Sequence, residues 1–191
     1  MWNVLLDELP NEWNGYPIDS DFQIGIQITQ CLNDETLSEN ERFFTAVELL
    51  FPDKKKKPTI EEAAEALKWY LTEYHHDNNT GEKNNTPVMD FDVDQWRIYA
   101  AFLNQYHIDL NTADMHWFVF MGLLANIQDC ALTNVMNIRQ KKISPKMSME
   151  EKNAIKKAKK VFALRPVEER PLSAKEQKAV DEFLKYAKVN K

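Results

Sequence analysis

The residues with the most obvious chemical potential are Asp90, Asp92 and Asp94. Alternating carboxylates of this kind open a calcium loop, which also needs Gly at its sixth position and Glu at its twelfth. Gln95 and Ala101 stand there instead. A phosphotransferase-type aspartate pair would need a buried apolar strand before it, and Thr86-Pro87-Val88-Met89 is too short and too polar. Carboxylates near the start of a helix also suit the positive end of its dipole. The run is therefore read as structural. The histidines, His75, His76, His107 and His116, fall in no H-E-x-x-H or paired His/Cys spacing. His75 and His76 end a helical segment, and His116, beside Trp117, reads as a hydrogen-bonded interior residue. Cys31 and Cys130 lie far apart in apolar surroundings. They read as buried thiols rather than a disulfide or a zinc site. Nothing in the spacing favours a dyad of Cys130 with His107 or His116, and no serine sits in a G-x-S-x-G elbow. Four glycines in the whole chain argue against a glycine-rich phosphate loop. The expectation is a protein without catalytic residues, metal or cofactor.

The elements around these residues read as helices. The chain has 191 residues, 43% hydrophobic and 28% charged, which suits one domain or one domain with an appendage. No apolar run approaches the roughly 18 residues of a membrane span. The start, Met1-Trp2-Asn3-Val4-Leu5-Leu6-Asp7-Glu8, lacks the pattern of a signal peptide, so the expected setting is intracellular. Capping boxes at Ser38–Glu41, Thr59–Glu62, Ser148–Glu151 and Ser173–Glu176 each precede apolar residues at helical spacing. A weaker start at Asp92 precedes Tyr99, Phe102 and Tyr106, and Asn111 or Thr112 is the expected cap of the next helix. That helix, from Met115 to Ile127, is apolar almost all round, as at the centre of a bundle. Phe22, Ile24, Ile26 and Ile28 alternate like a strand, but Phe22, Ile26 and Leu32 share a helix face, and Asp19 or Ser20 as cap favours helix. The polar stretch 77–89 reads as an exposed loop. The predicted fold is all-α, a compact bundle of about six to eight helices with a basic C-terminal helical arm.

Charge divides the chain. Residues 1–137 hold 8 basic and 23 acidic residues, a net of -15; residues 138–191 hold 16 and 7, a net of +9. The expected organisation is an acidic body with an N-terminal arm, 1–138, and a basic helical region, 139–191. Most aromatic residues of 96–120 are expected in the core. Trp2 and Trp13, in a poorly patterned segment, are candidates for partner contact or for clamping the arm to the body. Lys156, Lys157, Lys159, Lys160 and Phe183 are the corresponding protein-binding candidates in the basic region.

An ordered set of segments resembles one family. Asp90-Phe91-Asp92-Val93-Asp94, Ile98-Tyr99-Ala100-Ala101-Phe102, Tyr106-His107-Ile108-Asp109-Leu110, Met115-His116-Trp117 and Leu123-Leu124 are similar to the bacteriophage "gene product fifteen" family. So is the earlier pattern of Asp21-Phe22, Asp34, Leu37 and Leu49-Leu50-Phe51-Pro52. The resemblance spans roughly residues 18–165. It implies a tail assembly chaperone of long-tailed phages and prophages that binds the tape-measure protein, or brings tail-tube subunits to it. Such a protein acts in the host cytoplasm and leaves before the virion is complete. The family supplies no catalytic or metal-binding residues, and self-association is left open. The competing expectation is a nucleic-acid-binding accessory protein using Lys141, Lys142, Lys146, Lys156, Lys157, Lys159 and Lys160. It is disfavoured by the acidic body and the lack of a recognition motif. A membrane partner is not expected.

Overall fold

In the computed structural model, residues 3–73 and 87–164 are described. They form a short hairpin, β1 (Glu12–Trp13) and β2 (Tyr16–Pro17), and seven helices. These are α1 (Phe22–Asn33), α2 (Glu39–Leu50), α3 (Ile60–Thr72), α4 (Gln95–Tyr106), α5 (Trp117–Ala125), α6 (Ala131–Gln140) and α7 (Met149–Val161). The chain divides into units of residues 1–142 and 143–191. The helix expected from Ser173, and the expected helix end at His75 and His76, lie outside the described residues. So does most of the expected loop at 77–89. Among the described residues, no helix is long and apolar enough to cross a membrane.

The local signals for α2, α3 and α7 work as capping boxes. The Ser38, Thr59 and Ser148 side chains accept from the amides of Glu41, Glu62 and Glu151, whose carboxylates return to the cap amides. These reciprocal bonds satisfy donors that the helix itself leaves open. Hydrogen bonds from Ser38 and Thr59 hold the Glu41 and Glu62 carboxyls below their ordinary values. In the second unit, α7 carries Glu150 and Glu151 in its first turn and Lys159 and Lys160 in its last, matching the helix dipole at both ends.

Three starts differ from expectation: α4, expected from Asp92, has Asp94 as its cap residue. Segment 22–33 is helical, but Asp21 caps it, accepting from the Gln23 amide at 2.6 Å. α5 begins at Trp117 and its cap is His116, whose Nδ1 accepts from the Phe118 amide at 3.0 Å. Neither Asn111 nor Thr112 caps it; they lie in a turn in which Asp109 accepts from the Asn111 amide and from the Thr112 amide and hydroxyl. The apolar stretch also ends earlier than its pattern suggests: α5 stops at Ala125, and Asp129, at φ 46°, turns the chain before α6. The starts of α1 and α5 are joined directly. The Phe22 amide donates to the Met115 carbonyl and the Trp117 amide to the Ser20 carbonyl, at 3.0 and 2.7 Å.

The hairpin was not anticipated, although Asn14-Gly15 is a favoured two-residue turn. Both residues have positive φ, 48° and 79°. Lys56, from the basic loop after α2, donates to the Gly15 carbonyl and lies over the Tyr16 ring. Lys57 of the same loop pairs with Glu48.

The core of the first unit is a run of aromatic rings. Phe120 stacks on Phe22 and on Phe102, each at 5.0 Å between ring centres, and Trp117 stacks on Tyr70. Trp117 is buried and its indole N–H donates to the Tyr70 carbonyl at 3.1 Å. This large ring fits because α1 offers Gly25 beneath it: a Cβ there would stand 2.2 Å from the indole. The cysteines are free and half-buried, not the fully buried thiols expected; Cys31 donates weakly to the Arg42 carbonyl at 3.6 Å.

Gly25→Ala should therefore lower stability by about 1–3 kcal/mol, the usual cost of overpacking a filled core. Gly122 of α5 has nothing within 4 Å of where a Cβ would stand. Gly122→Ala should stabilise by about 0.5–1 kcal/mol through helix propensity. Urea unfolding of both variants checks the pair; equal effects would contradict this packing.

Candidate protein-binding surface

The site is built outward from Asp94, the one buried charged residue described, which is fully inaccessible. Arg139 of α6 donates to both of its carboxylate oxygens, at 2.6 and 3.0 Å, and Arg97 donates to one at 2.8 Å. The Asp90 amide donates to it as well, at 3.2 Å. Arg139 also donates to the Val88 carbonyl at 2.9 Å. Burial works against ionisation of Asp94, but the Arg139 hydrogen bond, backbone bonding at Asp90 and the nearby guanidinium charge outweigh it and hold the carboxyl below its ordinary value.

The aspartate run therefore diverges. Asp90 accepts from the amides of Asp92 and Val93, and Asp92 accepts from Gln30 Nε2. Asp94 is the cap residue of α4 but makes no side-chain cap bond to it, because its carboxylate is engaged by Arg139 and Arg97. Among the described residues, no three His, Cys, Asp or Glu side chains are grouped to hold a metal ion.

With its start fixed in this way, α4 buries Ile98, Ala101 and Phe102. Its other side carries Trp96, which is 76% exposed, with Val93 before the helix and Leu103 further along also exposed. Trp96 sits edge-on to Tyr99 at 6.1 Å between ring centres. Beside it a cavity of about 220 Å³ opens between α1, α4 and the 108–111 turn. Phe22, Ile98 and Phe120 reach into it from the core, while Ile26, Phe91 and Leu110 line it further out. Tyr99 donates to Asp109 at 3.1 Å, a bond that raises its pKa and holds it as a phenol at the wall. Sequence reasoning assigned most of these rings to the core. Trp96 escapes because α4 is apolar on two sides, and periodicity does not say which side has a neighbour.

A second exposed apolar feature lies at the N-terminal segment, where Val4, Leu5 and Leu6 are all largely exposed. His116 anchors this segment. Its Nδ1 accepts from Phe118, so its Nε2 carries the proton and donates to the Pro10 carbonyl at 2.9 Å. Burial lowers the His116 pKa, only partly opposed by the bond to Pro10.

Of the residues proposed from sequence for partner contact, Trp13 is half-buried and packs against the core. Lys156, Lys157 and Lys160 are exposed on α7, and Lys159 is half-buried. Trp2 and Phe183 lie outside the described residues. Trp96 is the exposed tryptophan among the described residues.

The first unit is thus a small helical body with an aromatic core and an apolar groove open at its surface. Over residues 5–164 the chain matches the family described as Bacteriophage Gp15 protein, and it belongs to that family. No curated protein and no solved structure matches it.

Two predictions concern the anchors. Arg139→Met strands the buried Asp94 carboxylate and should cost about 3–5 kcal/mol in denaturant unfolding. Replacing Asp94 by Leu in the same chain should recover much of that loss; no recovery would mean that the pair is not the source. His116, neutral in the fold, takes up a proton in the unfolded chain below its ordinary value of 6.5. Its contribution is therefore present above that pH and is lost as pH falls toward the lower folded value. His116→Asn, which keeps a cap acceptor, should flatten the fall in stability just below pH 6.5. An unchanged slope in thermal melts would contradict it.

Proposed function

We propose that this chain is a tail assembly chaperone of a long-tailed phage or prophage. In this reading it is a non-catalytic factor that binds the tape-measure protein, recruits tail-tube subunits to it, or does both. It acts in the host cytoplasm and is absent from the finished virion. The observation that carries the reading is the exposed Trp96 beside an open apolar groove, in a chain of the Bacteriophage Gp15 protein family. Large exposed aromatic residues head the list of interface anchors. A long helical client with apolar faces needs temporary cover, and a groove beside a helix can give it. Release favours a modest interface with charged rims over a large apolar one.

Co-expression with the tape-measure protein and, separately, with the tail-tube protein tests this. The expected result is that at least one of them stays soluble and co-purifies through a salt wash. Capture of the tape measure defines a client chaperone, and capture of tube subunits alone a recruiter. Capture of neither, with salt-sensitive retention on DNA, would overturn the reading in favour of nucleic-acid binding by the lysines of 141–160.

A further inference from the structure

We infer that the groove between α1 and α4 receives a cationic amphipathic helix of a partner protein, which inserts one bulky apolar side chain beside Trp96. The inference rests on the reading of the chain as an assembly factor and specifies the chemistry of what it holds.

Size comes first. The cavity is about 220 Å³, below the roughly 300–1,000 Å³ of pockets that engulf small molecules. It suits one or two side chains. Shape comes second. Val93, Trp96, Ala100 and Leu103 follow one another at intervals of three, four and three residues, the spacing of a single helix face. All four are exposed. The mouth of the cavity therefore continues into an apolar stripe along α4, against which a second helix can lie while its anchor enters beside Trp96.

Charge identifies the occupant. Residues 87–140 hold six aspartates and two arginines, with no lysine. Both arginines, Arg97 and Arg139, are bonded to buried Asp94. The opposite wall, α1, has no charged residue. Carboxylates border the groove at two places. Asp109 bonds to the wall residues Tyr99 and Asn111. Asp92 accepts from Gln30 of α1, and its carbonyl accepts from Gln95 at the cavity. An apolar slot bordered by these carboxylates, with the half-buried Arg97 held to Asp94, selects a helix with lysine or arginine beside its apolar face, and repels an acidic one. It also disfavours pairing of α4 with α4 from a second copy, which would bring like carboxylates together.

The test uses the full chain and labelled helical peptides of about 18 residues, five helical turns. One has a Phe anchor and a lysine-rich polar face, one has Glu for every Lys, and one keeps the lysines but has Ser for the anchor. Fluorescence anisotropy at physiological salt should show the first binding at least about tenfold more tightly than the other two, the scale of one good anchor. Trp96→Ser should remove that advantage, while Phe44→Ser, at an exposed ring of α2 outside the groove, should not. Equal binding of the Glu peptide, or unchanged binding by Trp96→Ser, would overturn the inference. So would a wild-type dimer in sedimentation that Trp96→Ser splits, since the occupant would then be a second copy. The peptides stand apart from the tail proteins. Co-purification without peptide discrimination defeats this inference alone, and peptide discrimination without co-purification defeats only the assembly reading.

Discussion

The buried contact between Asp94 and Arg139 is the constraint from which the candidate surface follows. A carboxylate with no access to water is strongly unfavourable unless a cation and further donors surround it. Here two guanidinium groups and a backbone amide do so. The same Arg139 side chain also binds the Val88 carbonyl. One cluster thus ties the strand of chain before α4, the first residue of that helix's approach and the last turn of α6. At its far end α4 is held again, where Tyr106 donates to the Leu123 carbonyl and Gln105 exchanges bonds with the backbone of Gln128. A helix fixed at both ends has its faces fixed too. Ile98 and Phe102 go inward and Trp96 goes out.

That cluster also sets the electrostatics. It engages both arginines of residues 87–140 at one carboxylate, with Arg139 buried and Arg97 half-buried. Asp92 and Asp109 then stand beside the apolar groove. Steering by carboxylates at such a place favours encounter with cationic groups and weakens with salt.

What the sequence made legible was local. The boxes at Ser38, Thr59 and Ser148 involve residues three apart, so they can be read without knowing the fold. The α-helical class and the family resemblance also came from pattern. His116 was missed as a cap because imidazole is not among the favoured cap residues; its role depends on a neighbouring segment that supplies the Pro10 carbonyl. The Asn14-Gly15 turn is legible in the sequence, since both residues tolerate the positive φ that the hairpin requires. The Asp94–Arg139 pair joins residues 45 apart, and no spacing rule connects them. Trp96 and Trp117 look alike as aromatic residues in apolar helices. One is 76% exposed and the other 1%. The difference lies in Gly25, which makes room for Trp117 on α1, and in the lack of any packed element over the outer face of α4 among the described residues. The lysines of α7 were visible at once, but their visibility says nothing of what they meet.

In the proposed role, Trp96 and the α4 stripe form the contact face. Hydroxyl-radical footprinting of the full chain, alone and in complex with whichever tail protein co-purifies, reads that face directly. Oxidation of Trp96 and Leu103 should fall sharply in the complex while Phe44 is labelled as before. Trp96 labelled equally in the free and bound chain would contradict it.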